Sequence, residues 1–306
     1  MICLTALRLR LMSYSVKEGE ELVDYWQSTP PNSNSRQAAL LQQGRRATMI
    51  MTWWRNWRRR RILARPFPEE WEALLQRYVW HYPRLTDGER SKLRQLVQVF
   101  VNEKFWEGCK GLAVDDEMRV TIAGHACLLT LGFGGLFLDD PQTVLIYPEQ
   151  YVAEGKTHLP GGVVSETLGV RLGEAWQRGP VILSWSSIQR DMAHPHDGHN
   201  VVLHEFAHVL DMLNFHVDGT PPLKDSGEYR NWNDVMVAEY HRLIDDTQHG
   251  RATLLDEYGA TSPAEFFAVA TECFFEQSLL LQNRHARLYN LLRDFYKQDT
   301  AARMSG

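Results

Sequence analysis

The pattern of hydrophobic and polar positions predicts helices in the first part of the folded chain. Apolar residues recur every three or four positions in two successive stretches, which is the spacing of one face of a helix. The second stretch opens with Thr86 and Glu89, the pair expected of a capping box. Residues 116–131 suit a buried helix or strand, and we favour the helix. The first stripe is Trp71, Leu74, Leu75, Tyr78, Val79 and Tyr82, and the second is Leu93, Leu96, Val97, Phe100 and Val101.

Strand signals follow in the middle of the chain. Three stretches rich in β-branched and aromatic residues, 143–147, 163–171 and 180–187, are separated by glycines and prolines. They predict a small mixed or antiparallel sheet immediately before the apolar segment Val201–Asp211. The last strand could then lie at a sheet edge, where an extended peptide could add as a further strand. The expected fold class is α+β and mostly helical.

The segment Val201–Asp211 carries the strongest chemical signal. It is apolar except at His204, Glu205, His208 and its last residue. On a helix of about 3.6 residues per turn, the two histidines project from one face and Glu205 lies about 100° around the axis. This H-E-x-x-H arrangement suits two imidazoles on one Zn²⁺ and a carboxylate that acts as general base. The alternative is a hydrogen-bonded structural cluster, since such residues are unfavourable when buried without partners.

A catalytic zinc ion normally has three protein ligands and a water molecule, so a further residue must complete the set. The longer pattern H-E-x-x-H-x-x-G-x-x-H is absent, because Asp211 and Asn214 replace its glycine and its last histidine. Glu228 has the spacing of a third ligand, but the surrounding sequence is typical of a loop. It is therefore a weak candidate.

Glu265 is the preferred third ligand. It lies in an apolar stretch that predicts a buried helix, and Glu272 follows one heptad later on the same face. Glu272 is the alternative ligand. A helix start with Ser262 as N-cap and Pro263 at the first helical position would by itself explain a glutamate at 265. Both interpretations can hold for one residue.

Three further histidines, His194, His196 and His199, precede the H-E-x-x-H segment. Their spacing is irregular and interrupted by proline and glycine. We therefore expect a loop that leads into the helix, with Asn200 or Asp197 near the cap, and we favour this over a ligand role.

Composition limits the classes of partner. The 306 residues are 44% hydrophobic and carry a net charge of −5, which allows a large core and argues against nucleic acid as the main ligand. The four cysteines are scattered, as in a reducing compartment. The longest nearly apolar run, residues 126–138, is too short to span a bilayer, and the first residues do not resemble a signal peptide. We expect a soluble cytoplasmic protein with neither a membrane nor a direct nucleic-acid partner.

Charge and residue pattern separate the amino-terminal part from the rest. Residues 1–66 carry 12 basic and 4 acidic side chains, against 21 basic and 34 acidic in the remainder. Residues 1–48 lack sustained apolar periodicity, and we expect a disordered or loosely packed extension. Met49 or Met51 is an alternative start of the chain.

The remaining boundaries follow from the same pattern. Residues 49–66 predict a basic arm of tryptophans and arginines, for which a solvated arm is favoured over contact with nucleic acid or an anionic surface. Residues 67–298 are expected to form the folded domain, and residues 299–306 a carboxy-terminal tail.

The H-E-x-x-H segment and a tyrosine-containing stretch that ends in the Glu265 helix form two longer motifs. They read His204-Glu205-x-Ala207-His208-x-Leu210-Asp211 and Asp256-x-Tyr258-Gly259-Ala260-x-Ser262-Pro263-Ala264-Glu265-x-Phe267-Ala268-Val269, and further motifs lie at 144–148 and 177–185. Together these motifs resemble the MtfA, or Mlc titration factor A, family of zinc peptidases. The likeness runs from about Trp71 to Gln298 and leaves residues 1–48 outside.

The resemblance implies a zincin-like metallopeptidase domain with one zinc ion per chain. It implies His204, His208 and Glu265 as zinc ligands, Glu205 as catalytic base, and the activity of a cytosolic aminopeptidase on peptides. The catalytic core is similar to that of anthrax lethal factor, in which a tyrosine seven residues before the ligand glutamate assists catalysis. Tyr258 has that spacing and could donate a hydrogen bond to the developing oxyanion. The alternative for Tyr258 is a packed loop tyrosine.

Two functions from different classes remain open. In the first, the protein hydrolyses peptides, and Asp211 either orients a ligand histidine or holds the α-ammonium of the substrate. In the second, which the family also implies, the protein binds an Mlc-type transcriptional repressor and modulates glucose phosphotransferase expression. Its zinc site would then be structural or largely idle.

Overall fold

A computed structural model describes residues 53–134, 138–149 and 179–304. The predictions for residues 1–48 and for a strand at 163–171 lie outside these ranges. The chain divides into two compact units, residues 1–60 and 61–306. Residues 53–60 of the first unit are helical, and the elements named below belong to the second. Within the described ranges, no helix has both the length and the apolar character needed to cross a bilayer.

The second unit begins with three helices. Helix α1 (Glu69–Tyr78) carries the first predicted stripe as far as Tyr78, and the last two residues of that stripe, Val79 and Tyr82, lie beyond its end. Helix α2 (Asp87–Glu103) carries the second stripe, and α3 (Asp116–Thr130) confirms the predicted buried helix. The capping box is also confirmed, because Thr86 Oγ1 accepts the Glu89 N–H at 3.3 Å while the Glu89 carboxylate accepts the Thr86 N–H at 2.9 Å. Helix α3 packs against both α1 and α2, which explains its burial along most of its length.

The described strands form a parallel sheet, so the prediction of a mixed or antiparallel sheet is wrong. Strands β1 (Phe105–Gly108), β2 (Thr143–Tyr147) and β3 (Val181–Ser184) lie in the order β1-β2-β3, and both pairs are parallel. Alternating hydrophobicity defines the faces of a strand but not the direction of its neighbour. The direction follows from the connection, and α3 provides the helical crossover that parallel β1 and β2 require.

Strand β3 is shorter than predicted. The predicted strand covered residues 180–187, whereas the chain turns at Ser184 into helix α4 (Trp185–Ala193). Ser184 Oγ accepts the Ser187 N–H at 3.3 Å and so caps that helix. The serines of this stretch therefore mark a helix start. Among the described strands β3 lies at an edge, next to β2.

Two apolar helices form the centre of the unit. Helices α5 (Val201–Asp211) and α7 (Pro263–Glu276) pack against each other, and α5 also contacts α3 and β3. Every residue of α7 from 264 to 276 is buried. A helix buried on all sides cannot solvate a polar side chain, so the glutamates of α7 need partners inside the protein. The other helices are α6 (Ser226–Gln248), α8 (Ser278–Arg284), α9 (Ala286–Tyr296) and α10 (Thr300–Met304).

Candidate metal centre

The two histidines of helix α5 meet in the protein interior. Asn200 is the N-cap of the helix, as predicted, because its Oδ1 accepts the Leu203 N–H at 3.1 Å. The side chains of His204 and His208 are 2% and 8% exposed, and their Nε2 atoms lie 3.3 Å apart. Glu205 is half-buried beside them. The helical spacing therefore brings two imidazole nitrogens to one point.

Glu265 reaches the same point from the first turn of α7. Ser262 Oγ accepts the Glu265 N–H at 3.2 Å, and Pro263 is the first residue of the helix. The Glu265 carboxylate Oε2 lies 3.0 Å from His204 Nε2 and 3.4 Å from His208 Nε2. The backbone of Glu265 thus belongs to the first turn of the helix, while its side chain faces both histidines.

The three atoms have the spacing of a tetrahedral metal site. When nitrogen and oxygen ligands lie about 2.0–2.1 Å from a tetrahedral ion, two ligand atoms are about 3.3–3.4 Å apart. The distances among His204 Nε2, His208 Nε2 and Glu265 Oε2 are 3.0, 3.3 and 3.4 Å. Within the described part of the chain, these three residues form the one group of metal-binding side chains close enough to share an ion.

Electrostatics at this cluster also fit a cation. Burial lowers the pKa of His204, but the Glu272 and Glu265 carboxylates outweigh burial and raise the pKa well above its usual value. Burial raises the pKa of Glu265, yet hydrogen bonds from both histidines hold it far below its usual range. A purely hydrogen-bonded cluster would need protons on its imidazoles to supply the positive charge. A divalent ion can replace those protons, which is the behaviour of a zinc site.

Glu272 lies on the other side of the His204 ring. Its Oε1 is 2.7 Å from His204 Nδ1, and its Oε2 accepts the Asn200 N–H at 2.6 Å. A carboxylate at Nδ1 favours the tautomer whose Nε2 lone pair can bind a metal. Glu272, the alternative ligand in the sequence, is therefore the partner of a candidate ligand.

Asp211 is fully buried at the end of α5. Its Oδ2 accepts the Gly219 N–H at 2.9 Å. Its Oδ1 and the Nδ1 of His208 are both buried, and neither has a hydrogen-bond partner among the described residues. Burial raises the pKa of Asp211 to about 6. A fully buried carboxylate bonded to a loop is not exposed to the α-ammonium of a substrate, so the structure does not support that predicted role.

Two further candidate residues lie next to the cluster. Burial raises the pKa of Glu205, although the neighbouring histidines oppose the shift. Tyr258 lies in a 3₁₀ turn, Glu257–Ala260, which is capped by Asp256 through a 2.7 Å bond from the Tyr258 N–H. The Tyr258 ring is 9% exposed, and its centroid is 6.1 Å from that of His204. The turn before α7 therefore brings an aromatic hydroxyl-bearing side chain to the histidines.

The remaining candidates lie outside the cluster. Glu228 is at the exposed start of α6, where its Oε1 accepts a 3.0 Å bond from Lys224 Nζ. His194, His196 and His199 belong to the loop before α5, as predicted, and none joins the metal-binding group.

Glu276 is a buried acid that the sequence pattern did not single out. This residue is 1% exposed, and its Oε2 accepts hydrogen bonds from Trp80 Nε1 at 3.0 Å and from the His196 N–H at 3.1 Å. Glu276 follows Glu265 by eleven residues and Glu272 by four, so all three acids share one face of α7. A third acid on the same face of an apolar helix could have indicated a buried polar network.

Comparisons with known proteins identify the family of the chain. Residues 54–297 match the family described as Glucose-regulated metallo-peptidase M90. The chain is 39% identical over 244 residues to an uncharacterized protein of Synechocystis sp., with 79% of this chain and 89% of that protein covered. It is 34% identical over 239 residues to the Mlc titration factor A of Cronobacter sakazakii (78% and 89% covered) and 34% identical over 225 residues to that of Salmonella arizonae (72% and 88%). The chain therefore belongs to the M90 family of metallopeptidases, to which Mlc titration factor A belongs.

Proposed function

We propose that the protein is a zinc-dependent peptidase in which His204, His208 and Glu265 hold one zinc ion. The observation that carries the proposal is the convergence of their three ligand atoms at 3.0 to 3.4 Å from one another. Two imidazoles and one carboxylate are a donor set of catalytic zinc sites. Membership of the M90 metallopeptidase family supports the same chemistry.

The proposed reaction is hydrolysis of a peptide bond. Zinc bound to this set would polarise the substrate carbonyl and make a water molecule more acidic. Glu205 accepts the proton of the attacking water and passes it to the leaving amine, so that a C–O bond replaces the C–N bond. The raised pKa of Glu205 suits a carboxylate that must both take up and release a proton.

Tyr258 and Glu272 support this chemistry from two sides. Tyr258 donates a hydrogen bond to the carbonyl oxygen as that oxygen gains negative charge. Glu272 holds the Nδ1 of His204 at 2.7 Å and so keeps Nε2 directed at the other two ligand atoms. The contact between His204 and Glu272 is already formed before substrate binds, which lowers the reorganisation needed during the reaction.

The family resemblance supports aminopeptidase activity on peptides in the cytoplasm. Amino-acid p-nitroanilides with a free amino group should then be cleaved, and their N-acetylated counterparts should not. Equal cleavage of both would instead indicate an endopeptidase with the same metal centre.

A second candidate function is binding of a transcriptional repressor of the Mlc type. The name of two relatives, Mlc titration factor A, favours it. In this alternative the zinc site is structural or largely idle. Capture of a purified Mlc-type repressor by the Glu205→Gln variant would support binding that is independent of hydrolysis, and failure of wild type and variant alike would reject it.

Metal analysis combined with one substitution tests the enzymatic proposal. The purified chain should bind one zinc ion, and a chelator should abolish hydrolysis until zinc is restored. Glu205→Gln should retain zinc but lower kcat by about 10²- to 10⁴-fold, because an amide cannot accept the proton. Glu70→Gln, on the exposed surface of α1, is the matched control and should behave like wild type. Wild-type turnover by Glu205→Gln, or full activity without metal, would refute the assignment.

A further inference from the structure

A continuous chain of buried polar groups extends outward from His204. His204 Nδ1 is 2.7 Å from Glu272 Oε1, Glu272 Oε2 accepts the Asn200 N–H at 2.6 Å, and Asn200 Nδ2 donates to Glu276 Oε1 at 3.1 Å. These four residues are between 1% and 6% exposed. A buried polar atom that loses its partner is costly, so the members of such a chain fix one another's positions.

Asn200 is the junction of this chain. Its backbone N–H binds Glu272, and its Oδ1 caps helix α5 by accepting the Leu203 N–H at 3.1 Å. Its Nδ2 faces both Glu276 Oε1 and His125 Nδ1, each at 3.1 Å. The residue that begins the histidine-bearing helix is thus bonded to two acids of α7. A displacement of Asn200 would move the first turn of α5 and the partner of His204 together.

Glu276 anchors the outer end of the chain. While its Oε1 accepts the bond from Asn200, its Oε2 accepts bonds from Trp80 Nε1 at 3.0 Å and from the His196 N–H at 3.1 Å. Trp80 follows helix α1, and His196 lies in the loop that leads into α5. A single carboxylate therefore ties Asn200 to two further segments, which restrains the amino-terminal end of α5 from several directions.

We propose that Asn200 and Glu276 are positioning residues of the metal site, which act on His204 through Glu272. They hold the imidazole in the orientation in which Nε2 meets the other two ligand atoms. This inference rests on the proposed function, since it takes His204 as a zinc ligand. Outer partners of ligand histidines typically change metal affinity by about 10- to 100-fold. The role is therefore measurable in the zinc dissociation constant, apart from any effect on folding.

Asn200→Asp is the sharpest test. Aspartate caps a helix as well as asparagine does and retains the backbone N–H that binds Glu272, but its carboxylate faces Glu276 in place of an amide donor. At alkaline pH, once both carboxyl groups are ionised, the two carboxylates repel. The zinc dissociation constant, from competition with a chromophoric chelator, should rise about 10-fold or more.

A compensating double variant tests the contact itself. In Asn200→Asp/Glu276→Gln, the glutamine amide can donate to the new carboxylate, so donor and acceptor have exchanged places. Most of the lost zinc affinity should return, and double-variant affinity as weak as that of Asn200→Asp would overturn the role of Glu276. Should Asn200→Asp not fold, the Glu276→Gln single variant carries the same expectation of weakened zinc binding, because its amide NH₂ must face either the Asn200 amide or the Trp80 and His196 N–H donors.

A second cap serves as the matched control. Thr86→Ala removes the N-cap of α2 and should lower thermal stability while the zinc dissociation constant stays within about twofold of wild type. The unfolding of each zinc-free variant is measured separately, so that lost structure is not taken for lost affinity. If Asn200→Asp lowers stability but leaves zinc affinity like that of wild type, this inference alone is overturned. If the wild-type protein binds no zinc, the proposed function fails and this inference fails with it.

Discussion

Two faces of helix α7 are equally buried but carry different kinds of side chain. Glu265, Glu272 and Glu276 are 3%, 6% and 1% exposed and contact the residues of α5 and the loop before it. Phe274 lies about 180° around the helix from Glu265 and is fully buried. Its ring stacks on Tyr296, with centroids 5.6 Å apart and an interplanar angle of 21°. One helix therefore has an acidic face and an aromatic face.

The difference shows which part of the core stabilises the fold and which part serves chemistry. Burial of aromatic surface is favourable in itself, at about 25 cal/mol per Å². Burial of a carboxylate is unfavourable unless each oxygen finds a partner. We therefore expect substitutions on the aromatic face to change stability with little effect on zinc. Substitutions on the acidic face should change zinc binding or pH dependence.

The largest expected effect is on the aromatic face. Phe274→Ala should lower the free energy of unfolding of the zinc-free protein by about 3–5 kcal/mol, because it leaves a cavity among Tyr289, Phe275 and Tyr296. Urea denaturation measures this loss. Phe274→Leu, which fills most of the space, should lose less. Zinc affinity of the folded variant should match wild type, and a parallel loss of zinc affinity would show that the two faces are not separable.

The second-largest expected effect concerns Tyr258, in the turn that precedes α7. Tyr258→Phe should lower kcat by about 10²- to 10³-fold, because it removes one donor to the developing oxyanion. Zinc content and thermal stability should not change. Tyr240→Phe is the control: its hydroxyl bonds the Ala260 carbonyl of the same turn at 3.3 Å, so its loss should affect stability slightly and kcat little. Unchanged kcat in Tyr258→Phe would make Tyr258 a packing residue.

Local signals in the sequence predicted helices of the folded unit. The capping pair Thr86 and Glu89 and the apolar periodicity of α2 each depend on residues within one or two helical turns. The sheet direction was missed because it depends on how α3 connects β1 to β2, which a strand pattern does not contain. Residues 185–187 were taken as part of the strand because the cap that Ser184 provides can be recognised only together with the helix that follows.

At the site, too, features that depend on residues close together in the sequence were predicted, and contacts between separate helices were not. The spacing of His204 and His208 lies within one helix, so the sequence predicted their shared face. Glu265 was preferred because it lies in an apolar stretch that predicts a buried helix, although the helix start alone would also explain a glutamate at that position. A partner for a ligand histidine was sought at Asp211, on the same helix, whereas the partner of His204 is Glu272 on the neighbouring helix. Contacts between helices depend on packing angles that one sequence does not show.

The smallest expected effect is a pH dependence on the acidic face. Burial raises the pKa of Glu276 from about 4.5 to about 7, although bonds from His196, Asn200 and Trp80 oppose the shift. The folded protein then binds this proton more tightly than the unfolded chain does. The stabilisation is fully present below about pH 4.5 and is lost as pH rises through about 7.

The difference between wild type and Glu276→Gln isolates this proton, because other groups titrate in both proteins. From about pH 5.5 to about pH 6.5, the unfolding free energy of zinc-free wild type should fall by about 1 kcal/mol relative to the variant. Urea denaturation at each pH measures it. A difference that stays constant across this range would mean that Glu276 is already ionised near pH 4.5. The hydrogen bonds of Trp80, His196 and Asn200 would then fully offset the effect of burial on the pKa. Glu276 would ionise at the same pH as a carboxylate on the surface.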